Sequence, residues 1–463
     1  MRPAGHWSFL DAGWRWGSVV ADLALAESGG PTVIERLQRD RFRRLVTHAR
    51  AHSPFYAERY RDIPPRLPHL ADLPPVRKRD LMARFDDWST DREVTRERVE
   101  AFAREPRWIG RPFLDRYALF SSSGTTGVPG LFLHDADALA VYDALGTARM
   151  GALAPLWDWR TPPGGHRFAL VAATGGHFAG VTMWERLRAL HPWFGRHAIV
   201  VPVTDSLDAI ARSLEAFRPT VLASYATVLR ALAERKLEGR LACDPHTVWH
   251  GGEWMAPEAR ATIVEAFGAR VAGDYGASEF LNIAFECEHG ALHVNADWVI
   301  LEPVDAAGRP VPAGQPSDSV LLTNLANRVQ PLIRYELGDS VTVVPGACAC
   351  GRTFPRIRVD GRRDEILRFA GAGQREIAIP PLALATAVEE GSGSHHFQAI
   401  QCGPRRMRLV VEGGTRDSRS AAKAALLRYL RDQGLEGITI VLEAGPVAAN
   451  PVSGKFRQVY REG

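Results

Sequence analysis

The stretch SSSGTTGVPG, residues 121–130, is the most informative segment of this 463-residue chain. Seven of its first eight residues are Ser, Thr or Gly, so the backbone N–H groups are left uncovered and hydroxyl donors lie beside them. Such a loop binds anions, above all phosphate. A flexible Ser/Gly linker is the alternative, but the apolar triplets ALF and LFL on either side predict a buried hairpin.

Outward from this loop, strand and helix patterns alternate along the chain. Strands are predicted at 166–174, 197–203, 220–225, 247–254 and 270–280, and helices at 206–217, 226–239 and 256–268. Regular alternation of this kind predicts a largely parallel α/β sheet. From about residue 291 the pattern becomes β-rich, and after VDGRRDE (359–365) strand and helix patterns predict a compact α+β unit of about a hundred residues.

The N-terminal region is predicted to be helical in part. Thr32 is a candidate N-cap for a helix running to His52, and KRDLMARFDDW (78–88) is predicted as a second helix. Residues 1–30 are Trp-rich and carry no clear periodicity.

Composition excludes several classes of function. The net charge of +4 gives no case for nucleic-acid binding, and five cysteines form no secreted disulfide framework. No apolar segment has the length of a signal peptide core or of a membrane span. We therefore expect a cytoplasmic protein that binds neither nucleic acid nor membrane. Only four of its 57 basic residues are lysines, which draws attention to each of them.

Five further motifs follow the loop in order: HGGEWM (250–255), GDYGASE (273–279), RYELGD (334–339), GRRDE (361–365) and NPVSGK (450–455). This series resembles the adenylate-forming (acyl-CoA synthetase, AMP-binding) superfamily. It is most similar to the phenylacetate–coenzyme A ligase branch, in which the phosphate loop reads SSGTTG and a CGRT stretch precedes the hinge.

The resemblance implies an AMP-forming acid–thiol ligase that binds ATP, Mg²⁺ and coenzyme A. It implies that Glu279 holds Mg²⁺, that Asp339 binds the ribose hydroxyls, and that Thr125 belongs to the catalytic set. The ATP- and AMP-binding residues implied in this way are Ser122, Ser123, Gly124, Thr125, Thr126, Gly127, Gly251, Gly252, Glu253, Asp274, Tyr275, Gly276, Ser278, Asp339 and Arg362.

Lys455 is the candidate for neutralising charge between the carboxylate and the α-phosphate. It lies on a Ser-Gly turn and is one of the four lysines; a solvated surface lysine is the alternative. The resemblance also implies a mobile C-terminal domain, with Asp364 at its hinge. The predicted fold class is therefore α/β: a large N-terminal domain (1–360) of mixed sheets, flanking helices and a β-rich subdomain, and a small α+β domain (361–463) on a hinge.

The acyl pocket is expected to form near the ends of the predicted strands. Its candidate lining residues are His177, Phe178, Tyr225, His250 and Ala277, which would suit an aryl or cyclic acid, although each is also typical of core packing.

The stretch after the hinge departs from the family pattern, and Gly130 replaces a lysine common in relatives. An amine, a carrier-protein thiol or another small nucleophile therefore remains an alternative acceptor to coenzyme A, and a non-catalytic nucleotide-binding relative is a third reading. A homodimer stays open.

Cysteine and histidine residues also predict a structural zinc site. ECEHGALHV and CACGRT supply Cys287, His293, Cys348 and Cys350, which are enough for tetrahedral Zn²⁺. Some members of the resembled branch carry such a zinc, and His293 matches their ligand. His289 is the alternative fourth ligand, and buried cysteines without metal are the alternative to the site as a whole.

Overall fold

The computed structural model describes residues 9–64, 69–122, 130–149, 165–359, 367–371, 376–379, 381–394, 397–412, 415–443, 445–447 and 458–462. The helices are α1 (Phe9–His52), α2 (Pro54–Arg59), α3 (Lys78–Ala83), α4 (Phe85–Trp88), α5 (Arg96–Ala103), α6 (Ala136–Ala148), α7 (Ala179–Leu190), α8 (Pro192–His197), α9 (Leu207–Phe217), α10 (Ala226–Leu237), α11 (Pro257–Phe267), α12 (Pro381–Ser392) and α13 (Arg416–Asp432). Single 3-10 turns lie at Leu70–Asp72 and Pro106–Trp108.

The strands of the first half are β1 (Ala118–Ser122), β2 (Gly130–His134), β3 (Phe168–Ala172), β4 (Ala198–Pro202), β5 (Val221–Ser224), β6 (Thr247–His250), β7 (Arg270–Ala277), β8 (Phe280–Glu286), β9 (Leu292–Val294) and β10 (Val299–Val304). The remaining strands are β11 (Ser319–Asn324), β12 (Tyr335–Glu336), β13 (Val341–Val344), β14 (Arg356–Val359), β15 (Leu367–Ala370), β16 (Glu376–Ile379), β17 (Phe397–Gly403), β18 (Arg406–Val411), β19 (Thr439–Glu443) and β20 (Val459–Arg461).

A nine-stranded sheet in the order β13-β14-β9-β8-β7-β6-β5-β3-β4 forms the centre of the fold. Strands β3 to β7 are parallel, as the alternating pattern predicts, and β8, β9, β14 and β13 continue the sheet in antiparallel fashion. The predicted α/β fold class is confirmed. Because β5, β6 and β7 are parallel, their carboxyl ends bring Tyr225, HGGE and GDYG to one edge.

The predicted hairpin around the Ser/Gly loop is confirmed. Strands β1 and β2 pair in antiparallel register from Ala118–His134 to Ser122–Gly130, and Phe120 and Phe132 are fully buried. A three-stranded sheet, β10-β11-β12, carries RYELGD, while β19-β18-β17-β20 forms the C-terminal sheet with α12 and α13.

Two helix predictions in the N-terminal region need correction. Helix α1 starts at Phe9, and its break lies at Gly30 (φ 64°), so Pro31 opens the second half and Thr32 is not the cap. Glycine accepts this positive φ, and proline is favoured as a first helical residue. The segment 78–88 forms two helices, because Arg84 leaves the helical conformation (φ −121°, ψ 41°).

No helix in the described ranges combines the length and the apolar character that crossing a membrane requires.

Candidate functional site

The structure describes many, but not all, of the predicted site residues. Those that lie outside the described residues are Ser123, Gly124, Thr125, Thr126, Gly127, Arg362, Asp364 and Lys455. Their roles stay predictions.

Two of the predicted motifs meet through a reciprocal pair of tyrosine–carboxylate hydrogen bonds. The Tyr275 hydroxyl of GDYGASE donates to Asp339 Oδ2 over 2.9 Å. In return, the Tyr335 hydroxyl of RYELGD donates to Glu279 Oε1 over 2.7 Å. Each motif therefore supplies one carboxylate and the phenol that holds the other motif's carboxylate.

A buried polar network supports the turn that carries Glu279. Asn324 Nδ2 donates to the Glu279 carbonyl (2.8 Å) and to the Tyr142 hydroxyl (3.1 Å). The Tyr142 hydroxyl lies 3.1 Å from His134 Nδ1, and His134 Nε2 lies 2.9 Å from the Ser278 carbonyl. Burial lowers the pKa of His134 to about 3, so the ring is neutral, with Nε2–H as the donor. The carbonyl groups of Ser278 and Glu279 are thus both held by buried side chains of this network.

The end of β1 brings the hairpin into contact with this turn. Ser278 Oγ donates to the Ser121 carbonyl over 3.1 Å, and Ser121 N donates to the His177 carbonyl over 2.7 Å. Lys78 Nζ, from the first turn of α3, donates to Ser122 Oγ over 3.2 Å. A cation therefore lies at the mouth of the hairpin.

The HGGE segment lies beside Tyr225 and Asp274. Glu253 Oε2 accepts hydrogen bonds from the backbone N and the hydroxyl of Thr227, at 2.9 and 2.8 Å, at the start of α10. A Cβ added at Gly252 would lie 3.4 Å from the Tyr225 ring, and one at Gly251 would lie 3.1 Å from Asp274 Oδ1. A side chain at Gly251 would therefore crowd Asp274, whereas Gly252 is required mainly because its backbone has a positive φ of 74°.

Asp274 is a carboxylate enclosed by the site. Trp249 Nε1 donates to its Oδ1 over 2.8 Å. Burial raises its pKa to about 6, against the opposing effect of the Trp249 hydrogen bond. Next to it, Gly276 has no space for a side chain, because a Cβ would come within 1.8 Å of the Leu281 carbonyl oxygen.

The predicted acyl-pocket residues lie on neighbouring elements. Phe178 precedes α7, and Ala277 ends β7. Tyr225 precedes α10, and its hydroxyl accepts a hydrogen bond from the Ala173 backbone N over 3.1 Å. His177 is only 2% exposed and contacts the Phe102 ring, so its surroundings are those of a core residue, and burial lowers its pKa to about 4.

His250 lies in a buried ionic cluster. Its Nε2 is 3.3 Å from Glu286 Oε2, and the other oxygen of Glu286 pairs with Arg260. The role of these five residues in the acyl pocket stays a prediction.

The four predicted metal ligands come together at the β8–β9 turn. The ligand atoms of Cys287, His293, Cys348 and Cys350 all lie within 4.8 Å of one another. The Sγ atoms of Cys287 and Cys348 are 3.9 Å apart, and Cys350 Sγ is 3.4 Å from His293 Nε2. His289 is exposed and does not belong to the cluster.

Two residues of the site were not predicted from the sequence: Lys78 and Tyr335. Lys78 is 44 positions from Ser122, and Tyr335 is 56 positions from Glu279. The scarcity of lysine was a signal for Lys78, whereas Tyr335 carried none beyond its place in RYELGD.

Comparison with known proteins places this geometry in a family. A family model for AMP-binding enzymes matches residues 9–317. A phenylacetate-coenzyme A ligase of Thermus thermophilus is 26% identical over 371 residues, which cover 76% of this chain and 75% of that protein. A phenylacetate-coenzyme A ligase of Pseudomonas putida is 28% identical over 166 residues, 34% of this chain and 36% of that protein.

Among solved structures, 2-hydroxyisobutyryl-CoA ligase in complex with 2-HIB-AMP and CoA has the same fold. It is 23% identical, with a TM-score of 0.56, and the match covers 95% of this chain and 92% of that one. Because the family model spans more than half of the chain, the chain belongs to the AMP-binding enzyme family and is an adenylate-forming ligase.

Proposed function

We propose that this protein joins a carboxylic acid to coenzyme A in two steps that consume ATP. In the first, a carboxylate oxygen attacks the α-phosphorus and pyrophosphate leaves, which gives an acyl-AMP. In the second, the thiolate of coenzyme A attacks the acyl carbon and AMP leaves. The observation that carries the proposal is the meeting of Glu279 and Asp339 through Tyr335 and Tyr275, at the edge of the sheet beside HGGE.

The donor set at this edge fits a magnesium nucleotide. Mg²⁺ prefers carboxylate and phosphate oxygens, and Glu279 would hold it there to neutralise phosphate charge. Asp339 would accept hydrogen bonds from the ribose hydroxyls, and Ser122 and Lys78 would face the phosphates. Two anions that repel each other have to react, so positioning and charge neutralisation supply most of the catalysis.

The remaining roles in this mechanism rest on the motif series. Lys455 would bridge the carboxylate and the α-phosphate, and Arg362 would lie beside the ribose. Residues 361–463 would form a domain that turns about Asp364 between the two steps and keeps water from the acyl-adenylate. The 1–360/361–463 boundary is part of this proposal.

Coenzyme A as the acceptor is supported by the named relatives. Two curated relatives are phenylacetate-coenzyme A ligases, and the 2-hydroxyisobutyryl-CoA ligase structure contains CoA. Because these relatives are named for phenylacetate, aryl acids are the first class of substrate to test.

We also propose that the cysteine–histidine cluster holds structural Zn²⁺. Two thiolates at about 2.3 Å from a tetrahedral zinc lie roughly 3.8 Å apart, and the Cys287–Cys348 separation is 3.9 Å. His293 Nδ1 lies 3.1 Å from the Phe354 carbonyl, which leaves Nε2 for the metal. Four protein ligands leave no open position, so the zinc would stabilise the fold and take no part in catalysis.

A panel of carboxylic acids tests the function. Purified protein is incubated with ATP, Mg²⁺ and each acid, and pyrophosphate release is measured; coenzyme A is then added and the thioester is sought by mass. We expect release with aryl acids and a thioester with coenzyme A. Adenylation without a thioester would favour an amine or carrier-protein acceptor, and silence across the panel with ATP still bound would favour a nucleotide-binding relative.

A further inference from the structure

The Glu279 carboxylate is held at one oxygen and left open at the other. Its Oε1 accepts the Tyr335 phenol at 2.7 Å, which is the length of a strong, charge-assisted O–H···O bond. Within the described part of the chain, no hydrogen bond to Oε2 is found. Glu279 is only 5% exposed, so its side chain cannot rotate freely into solvent.

Tyr335 is fixed both by the packing of its ring and by hydrogen bonds of the backbone around it. It is 1% exposed, and its ring packs edge-on against Phe132 of the hairpin at a centroid distance of 6.1 Å. Its backbone is clamped as well, because Val76 forms a parallel bridge to it, with Val76 N donating to the Arg334 carbonyl and Glu336 N donating to the Val76 carbonyl, each over 3.0 Å.

We infer that Tyr335 is a positioning residue for the metal: it commits Oε1 of Glu279 and thereby directs Oε2 at the cation that accompanies ATP. This inference rests on the proposed role of Glu279. Groups that orient a metal ligand typically change metal affinity by about 10- to 100-fold when they are removed. The hydrogen bond from Tyr275 to Asp339 runs in the opposite direction between the same two motifs. The position of Glu279, proposed to bind the metal, is therefore linked to that of Asp339, proposed to bind the ribose.

Tyr335→Phe removes this hydroxyl and keeps the ring that packs on Phe132. Tyr56→Phe is the matched control, because Tyr56 is also fully buried but donates its hydroxyl to a backbone carbonyl, that of Pro331, at 3.0 Å. Binding of Mn²⁺ in the presence of saturating ATP is measured by the electron paramagnetic resonance signal of the free ion, and metal-free ATP binding by calorimetry.

We expect Tyr335→Phe to weaken Mn²⁺ binding about tenfold or more, with metal-free ATP binding unchanged, while Tyr56→Phe binds Mn²⁺ like the parent. On a Glu279→Gln background, Tyr335→Phe should add no further loss. Parental Mn²⁺ affinity in Tyr335→Phe, an equal loss in Tyr56→Phe, or an undiminished loss on the Glu279→Gln background would overturn the inference.

The acid panel and the Mn²⁺ titration test different claims, so a negative result in one does not decide the other. A protein that releases no pyrophosphate with any acid contradicts the proposed function, whereas the Mn²⁺ titration needs only ATP and still tests Tyr335. If an acid of the panel supports pyrophosphate release, the Mg²⁺ concentration that gives half the maximal rate of release should rise about tenfold in Tyr335→Phe. The KM for the acid should not change.

Discussion

The ammonium group of Lys78 lies 3.2 Å from Ser122 Oγ, at the point where the first hairpin strand enters the Ser/Gly loop. The same hydroxyl accepts the Gly130 backbone N–H at 3.0 Å, where the second strand begins. The segment SSSGTTGVPG itself contains neither Lys nor Arg, so a residue of α3 supplies a cation at the described start of the loop.

Lys78→Gln should raise the KM for ATP about 10- to 100-fold, because a hydrogen bond to a charged group contributes about 1.5–3 kcal/mol. The KM for the acid should not change. Steady-state pyrophosphate exchange at varied ATP measures this. Lys236→Gln is the control, since Lys236 pairs with Asp244 at the end of α10; equal effects of the two changes, or no effect of Lys78→Gln, would contradict a role at the phosphates.

Lys455→Ala should abolish adenylation and spare the transfer of a supplied acyl-adenylate to coenzyme A, because only the first step joins two anions. Both half-reactions are followed separately by mass. Lys423→Ala, on α13, should leave both intact. A parallel loss of the two half-reactions in Lys455→Ala would count against the assigned role.

Zinc should be present at about one ion per chain, as measured by metal analysis of the purified protein. Cys350→Ser should lose the metal and lower the unfolding temperature, since the binding free energy of a structural metal is folding free energy. Cys402→Ser, which changes a cysteine outside the cluster, should keep both. Metal-free parent protein with fully titratable thiols would remove the zinc proposal.

Gly276→Ala should destabilise the fold by about 1–3 kcal/mol, the usual cost of overpacking, because its Cβ meets a backbone carbonyl that cannot move aside. Gly146→Ala changes the same residue type in α6, where nothing lies within 4 Å, and should instead stabilise by about 0.5–1 kcal/mol. Urea unfolding gives both values. Equal effects would show that the backbone of β7 around Gly276 can shift.

Asp274→Asn should change how stability depends on pH. The pKa of Asp274 is raised from 3.8 to about 6 by burial. Between these values the folded state keeps a proton that the unfolded chain has lost, so the parent loses stability as the pH rises from 4 to 6. The asparagine side chain cannot ionise, so relative to the parent the variant should gain on the order of 2 kcal/mol across this window.

Unfolding free energies of parent and variant at pH 4, 5, 6 and 7 measure that difference, in which the other titrating groups cancel. A difference that does not vary with pH would contradict the burial of the Asp274 charge.

Local patterns predicted most of the fold, and the misses have physical causes. Ser206 caps α9 and Gly268 ends α11 as sequence rules expect. The first half of α1 was missed because its tryptophans Trp14 and Trp16 stay exposed and mark no buried face with a helical period, although the helix packs on α6. The hairpin β15–β16 and helix α12 lie in the stretch after the proposed hinge, for which the sequence predicted no individual elements.

For the site, the motifs predicted which residues would meet but not what holds them. The sequence left His289 and His293 open as the fourth ligand. The β8–β9 pairing brings His293 to Cys287, and the β9–β14 pairing brings it to the segment that carries Cys348 and Cys350. The partners of Tyr335 and Lys78 come from distant segments, so spacing along the chain could not reveal them. Short-range periodicity carries no information about such contacts.

The bridge between Val76 and Tyr335 has a consequence for building chimaeras within this family. Suppose that the first hundred residues, or the RYELGD region alone, were exchanged between two relatives. The segment around Val76 would then come from one parent and the strand that carries Tyr335 from the other. The backbone hydrogen bonds do not depend on side-chain identity and would be kept. The Arg77–Glu336 ion pair and the packing around Tyr335 depend on both segments and would be kept only if the two parents have matching residues. Recombination points should therefore keep residues 76–78 and 334–336 from the same parent.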